Sequence, residues 1–203
     1  MRYATQFPLF QSHLDLAHSY WHQLTQPGDV VVDATCGNGQ DSLILCNLTL
    51  QDLKGKVWAL DIQAKAIEQT QNYLAQHLEK EQIARVFYQQ GCHSKFPTSI
   101  ETGTVTLIIY NLGYLPGNNK DLTTLTRSTL ESLKQALTLL KPGGLISITC
   151  YPGHAEGLNE QIALLDFVSH LPANEWSCCH HQWLNRKKSP SLLLLQKTLT
   201  HHT

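Results

Sequence analysis

The chain has 203 residues, 42% of them hydrophobic and 15% charged, with a formal net charge of -1 and a pI near 6.8. That length is expected to form one domain, residues 1–203, whose core needs neither metal nor disulfide. A near-neutral charge excludes a global basic field, so any contact with nucleic acid has to come from a local patch.

The six cysteines, Cys36, Cys46, Cys92, Cys150, Cys178 and Cys179, form no CxxC pair with a matching partner, which argues against a zinc or disulfide framework. His180 and His181 stand beside Cys178 and Cys179, but "EWSCCHHQW" alternates like a strand, so neighbours point to opposite faces and no metal site is expected. The opening "MRYATQFPLFQSHLD" has no signal-peptide core, and nowhere do about 18 apolar residues run together. The expectation is a cytoplasmic protein that does not cross a membrane.

In chain order, Phe10, Leu14, Ala17, Trp21 and Leu24 recur at helical spacing and predict an amphipathic helix closed by Pro27-Gly28. A β-branched run at 30–32 predicts a strand ending on Asp33, followed by the turn "DATCGNG" and a helix over about 40–49. "KVWALD" is the next strand, ending on Asp61, and a helix is expected from Ala64 to Lys80. "ARVFYQQ" and "TVTLIIY" are two more strands, then a helix over about 121–141 ended by "KPGG". "LISITCY" is a fifth strand, 157–170 a helix, and "WSCCHHQW" with "SLLLLQK" a closing pair. Alternating strands and helices imply an α/β fold, a mostly parallel sheet covered on both faces. Ligands in such sheets sit beyond the carboxyl ends of the strands, where Asp33, Asp61, "GCH" at 91–93, Asn111 and Tyr151 all fall.

Gly37 and Gly39 let the chain turn sharply after the first strand and expose backbone N–H groups at a helix start, a site for a compact polar ligand. A dinucleotide site requires G-x-G-x-x-G, but the third position here is Ser42. Asp33, four residues before Gly37, suits a ligand bearing an ammonium group, and Asp61 has the placement of a ribose acceptor. Together they favour a zwitterionic amino-acid nucleoside, S-adenosyl-L-methionine, over a nicotinamide.

The motifs "DATCGNGQD" at 33–41, "ALDIQ" at 59–63, "NLGYLPGNNK" at 111–120 and "YPGHAEG" at 151–157 resemble a class I methyltransferase. Within that class the chain is similar to the rRNA methylase family, whose characterised members are tRNA 5-aminomethyl-2-thiouridine methyltransferases. The resemblance implies a Rossmann-like seven-stranded sheet with an antiparallel last strand, S-adenosyl-L-methionine as cofactor, and cytoplasmic, often dimeric proteins. It further implies N-methylation of the aminomethyl group on the wobble uridine in the anticodon loop of tRNA. Gln40 stands where the family frequently has histidine, and Asn118-Asn119 where it frequently has glycines.

The cofactor residues expected from these motifs are Asp33, Gly37, Asn38, Gly39, Gln40, Asp41, Asp61, Gln63, Cys92 and His93, the last beside the adenine. Asn111 and Tyr114 are placed to orient the reacting amine, and His154 to accept or relay a proton, although His154 would equally serve as a helix-start residue satisfied by backbone. Tyr151 is expected to line the substrate pocket and Lys120 and Arg127 to meet phosphate, whereas the "NRKK" run at 185–188 reads first as a solvated loop. The alternatives are methylation of rRNA or of a small-molecule amine, binding of RNA without catalysis and, less favoured, a nicotinamide-dependent oxidoreductase.

Overall fold

The computed structural model describes residues 12–112, 126–186 and 188–199. Helix α1 (His13–Leu24) begins at Ser12, whose side chain caps the Asp15 N–H; Phe10, the expected first contact of this helix, lies outside the described residues. Strand β1 (Val30–Asp33), helix α2 (Gln40–Thr49), strand β2 (Lys56–Asp61) and helix α3 (Ala64–Ala75) follow. A one-turn helix α4 (Lys80–Ile83) leads to strands β3 (Val86–Gln90) and β4 (Val105–Asn111). Helix α5 (Thr126–Leu139), strand β5 (Leu140–Cys150), helix α6 (Ala155–Ser169) and strands β6 (Trp176–His181) and β7 (Ser191–Lys197) complete the described chain.

The strands form one sheet in the order β3-β2-β1-β4-β5-β7-β6. The pairs among β1 to β5 are parallel, and β7 runs antiparallel to both β5 and β6. This is the seven-stranded, Rossmann-like arrangement expected from the sequence, with the antiparallel strand inserted next to β5.

Strand alternation divides the core into two layers. Val31, Leu107, Ile109, Leu192 and Leu194 face α1, α2 and α3 through Trp21, Leu45 and Leu74. Their neighbours Val32, Ile108, Tyr110, Leu193 and Leu195 face α5 and α6 through Leu133, Ala136 and Leu164. Both faces are therefore covered, which is why the central strands read as continuous apolar runs.

Three expected boundaries are corrected. The helix from Ala64 stops at Ala75, because Glu79 is extended (φ -73, ψ 158) and starts a new turn in a capping box with Gln82. "KPGG" belongs to β5: Leu140 already pairs with Val105, and the register then shifts so that Leu145 pairs with Leu107, with Gly143 at φ +77 inside the irregularity. Helix α6 starts at Ala155, two positions earlier than expected, because the His154 ring accepts the Gly157 N–H and caps it.

Candidate active site

The sheet changes direction of build between β1 and β4, which are neighbours although the chain visits β2 and β3 in between. Such a switch point leaves a crevice beyond the carboxyl ends of the two strands. Asp33 ends β1 and Asn111 ends β4. Two hydrogen bonds tie the strand ends together: Ala34 N–H donates to the Ile109 carbonyl at 2.9 Å, and Asn111 N–H to the Thr35 side-chain Oγ1 at 2.7 Å.

One side of the crevice is the glycine turn. Gly37 has φ +53 and Gly39 φ +84, and a Cβ on Gly39 would stand 3.0 Å from the Thr70 Cα of α3. Thr70 Oγ1 in turn donates to the Gly37 carbonyl at 3.2 Å. Position 39 thus needs glycine twice, for its left-handed backbone and for the close helix beside it. Asn38 Oδ1 accepts the Gln40 N–H at 3.4 Å, and Gly39 caps α2 without a side chain. Asp61 braces the turn from β2, its Oδ2 accepting the Gly37 N–H at 3.1 Å and its Oδ1 the Gln63 N–H at 2.9 Å. Burial raises the Asp61 pKa against the opposing effect of these backbone donors.

Asp33 lies beneath the turn, 1% exposed. Ser42 Oγ donates to its Oδ2 at 2.6 Å and the Thr35 N–H to its Oδ1 at 3.2 Å. Desolvation, followed by the nearby Asp41 charge, pushes its pKa up to about 7. Two acids crowded in this way favour a cationic visitor.

The other side is a side-chain chain of hydrogen bonds. The Tyr151 hydroxyl donates to Asn111 Oδ1 at 2.8 Å, and Asn111 Nδ2 donates to Asp41 Oδ2 at 2.9 Å. Burial, then the charge on Asp41, pushes the Tyr151 pKa up to about 12, so the phenol keeps its proton and stays a donor. Asp41 Oδ1 is bonded at 2.9 Å by His18 Nε2 from α1. His13, also on α1, stands edge-on to the Tyr151 ring with centroids 5.7 Å apart. The structure therefore joins Asn111, Asp41 and Tyr151 as one unit, and adds His18 and His13. Sequence reasoning missed both histidines; the only local trace is that His18 lies one helical turn from Leu14 and Trp21 on the inner side of α1.

The "YPGHAEG" motif has a local cause. A Cβ on Gly157 would collide with the Tyr151 carbonyl oxygen, so glycine there lets the turn fold back and hold Tyr151 at the rim. His154 Nδ1 accepts the Gly157 N–H at 3.1 Å, and a neutral ring that accepts at Nδ1 carries its proton on Nε2. In this arrangement His154 is the N-terminal cap of α6. At the next strand end, His93 is buried edge-on against Tyr110, centroids 5.9 Å apart, and burial lowers its pKa to about 4. Half-buried Cys92 beside it accepts a hydrogen bond from Ser94 Oγ at 3.2 Å. Arg127 is exposed on α5, its Nε donating to Glu131 Oε1 at 3.0 Å. Tyr114 and Lys120 lie outside the described residues.

A crevice at the β1/β4 switch point, an acid ending each of β1 and β2, and an asparagine fixed at the end of β4 coincide with a sequence match: residues 57–197 match the family described as "Putative rRNA methylase". The chain belongs to the rRNA methylase family. A protein of Arabidopsis thaliana named "tRNA (mnm(5)s(2)U34)-methyltransferase, chloroplastic" is 43% identical over 187 residues, covering 90% of this chain and 68% of the relative. Among solved structures, an rRNA methylase from Clostridium thermocellum superimposes with a TM-score of 0.86 at 31% identity, covering 93% of this chain and 98% of that one. A Streptococcus mutans methyltransferase solved in complex with SAH gives 0.80 at 28% identity, covering 93% and 99%. The fold and the family's methyltransferase character thus agree with the site. The match to the family begins at Val57, so the glycine turn and α1 fall before it, while the Arabidopsis relative covers nine-tenths of the chain.

Proposed function

We propose that this protein is an S-adenosyl-L-methionine-dependent methyltransferase that methylates the 5-aminomethyl nitrogen of the wobble (2-thio)uridine of tRNA, giving the 5-methylaminomethyl form. The observation that carries the reading is the Asn111 amide, held between Tyr151 and Asp41 at the end of β4. A carbonyl oxygen accepts two hydrogen bonds. Tyr151 takes one at Asn111 Oδ1, which leaves that oxygen an acceptor for an amine N–H of the substrate. The 43% identity to a protein named as a tRNA methyltransferase supports the substrate.

The residues fit the cofactor. Asp61 would accept from ribose hydroxyls, and the Gly37–Asp41 turn would follow the amino-acid part. Asp33 and Asp41, carboxyl groups close enough to raise the Asp33 pKa, form the acidic surroundings that suit an ammonium and a sulfonium. S-adenosyl-L-methionine, when bound, supplies the methyl group. The chain's own task is to hold a neutral amine in line, since an amine attacks only through a free lone pair, and positioning provides most of the acceleration. Asn111 fixes one N–H direction, Tyr151 fixes Asn111, and Asp41 with His18 fixes the far side of the amide. Gln40, Gln63, Cys92 and His93 complete the assigned cofactor surroundings, and Tyr114, Lys120 and Arg127 the substrate side.

The test is incubation with labelled S-adenosyl-L-methionine and tRNA from cells lacking the modification, followed by nucleoside mass spectrometry. Appearance of 5-methylaminomethyl-(2-thio)uridine is expected; label in rRNA or only in small amines overturns the reading. A cytoplasmic homodimer belongs to the same proposal on family resemblance, and a monomer in light scattering would remove the dimer. No helix among the described residues is long and apolar enough to cross a membrane.

A further inference from the structure

Beside the Tyr151 turn lies a cleft of about 260 Å³, with Pro152 and Gln161 on one wall and Trp183, Leu184 and Arg186 on the other. The residues that build it come from the end of β5, from α6 and from the loop that joins β6 to β7. The loop rests on the active-site turn: a Cβ on Gly153 would lie 3.8 Å from the Lys188 carbonyl oxygen. Pro152 directly follows Tyr151, whose hydroxyl holds Asn111. The cleft therefore adjoins the turn that carries Tyr151.

Its chemistry differs from the rest of the surface. Leu184 is 90% exposed, the most exposed large apolar side chain among the described residues. The Arg186 guanidinium lies over the Trp183 ring, 4.4 Å from its centroid, a cation–π arrangement that stiffens both groups. In sequence the loop reads "WLNRKKSP" from 183 to 190, with three basic residues and no acid, in a chain of net charge -1. The lining is also polar, Ser191 Oγ donating to Gln161 Oε1 at 3.0 Å.

An aromatic ring and an exposed apolar side chain, with Arg186 held over the ring and Lys188 two positions on, are what an unstacked RNA segment needs: faces for bases and charges for phosphates. We infer that the 183–188 loop and the cleft beneath it are a docking surface for the single-stranded nucleotides that flank the target base. Trp183 and Leu184 receive base faces, and Arg186 and Lys188 contact phosphates. The inference rests on the reading that the substrate is tRNA. It assigns the local basic patch that the overall charge left unaccounted for, and it gives the "NRKK" run a role beyond a solvated loop.

The experiment measures binding of a labelled anticodon stem-loop RNA by fluorescence anisotropy over a range of salt concentrations. Arg186→Ala with Lys188→Ala is expected to weaken binding about tenfold at low salt and to lower the slope of log K against log salt by about 1.4, the value for two single-strand phosphate contacts. Trp183→Ala is expected to weaken binding about tenfold with the slope unchanged, and Trp183→Phe to retain most of the affinity, since stacking and not charge is removed. Affinity for S-adenosylhomocysteine and the melting temperature should stay at parental values, showing intact folds. If all variants bind RNA within about twofold of the parent, the docking surface is overturned. If the parent does not methylate tRNA yet its RNA binding depends on these residues, the proposed substrate falls and the surface stands. A parent that binds no RNA overturns the surface whatever it methylates.

Discussion

Asn111 and Asp41 stand 70 positions apart in the chain, yet Asn111 Nδ2 and Asp41 Oδ2 are 2.9 Å apart across the crevice. This bond connects the end of β4, where an amine would be oriented, to the helix that starts at the glycine turn. On the proposed assignment, it links the residue that orients the substrate to the cofactor side of the site. Asn111→Ala should therefore lower the rate of methyl transfer to tRNA by roughly a hundredfold, the scale of misplacement effects, with S-adenosylhomocysteine affinity nearly unchanged. A calorimetric titration with a tRNA methylation time course checks this. Loss of cofactor binding with normal turnover per bound complex would make Asn111 part of the scaffold only.

Asp61 braces the Gly37 and Gln63 N–H groups, and in the proposed reading it also accepts from the ribose. Asp61→Asn replaces one carboxylate oxygen by a donor, which opposes one of these N–H groups and removes the charge. Hydrogen bonds to a charged group contribute about 1.5–3 kcal/mol, so S-adenosylhomocysteine affinity should fall by at least tenfold in calorimetry. Unaltered affinity would remove Asp61 from the cofactor site.

The buried Asp33 predicts a pH dependence. Its folded pKa of about 7 lies above the ordinary 3.8, so the folded chain holds a proton that the unfolded chain has released. Stability consequently falls as pH rises from about 4 to about 7, and Asp33→Asn removes that loss. The melting-temperature difference, variant minus parent, should grow over this window and level off above it. Buried His93, lowered from 6.5 to about 4, acts in the opposite sense, gaining stability as pH rises between those values, but it is common to both proteins and cancels. A flat difference across the window would show that Asp33 stays ionised throughout. With Asp33 facing the ammonium as proposed, S-adenosylhomocysteine affinity is expected to rise as pH passes through 7 in calorimetry, and a flat profile would remove Asp33 from the cofactor site.

Much of this architecture is legible in the sequence because its signals are local. Val30–Val32 followed by Asp33, and "VWALD" ending on Asp61, place two strand ends directly, and buried parallel strands announce themselves as β-branched runs. Local signals also mislead. Leu78 continues the apolar spacing of α3 past its true end, where Glu79 restarts the chain, and Pro-Gly-Gly in 142–144 looks like a stop although the strand has already begun at Leu140. The site is legible only where a motif holds its residues close together. His18 meets Asp41 across 23 positions, and no periodicity records such a contact. A histidine near the apolar stripe of an amphipathic helix reads as packing.

That contact gives the last prediction. His18 Nε2 holds Asp41 Oδ1 while Asn111 holds Oδ2, so the carboxylate is fixed from both sides, and the His18 ring also packs on Trp21 with centroids 4.7 Å apart. Removing the side chain would remove a hydrogen bond and a ring contact together, and two substitutions separate them. His18→Gln keeps a donor for Asp41 without the ring; His18→Phe keeps a ring against Trp21 without the donor. If His18 positions Asp41, and through it Asn111, then His18→Phe should lower the rate constant for methyl transfer at saturating tRNA about tenfold, the lower end for a bond to a charged group, while His18→Gln retains most of it. The melting temperature should follow the opposite order, with His18→Phe the more stable of the two, because the ring contributes packing against Trp21. Rates that follow melting temperature, with His18→Phe active and His18→Gln slow, would reduce His18 to a packing residue of α1 and leave the orientation of Asn111 to Tyr151 alone.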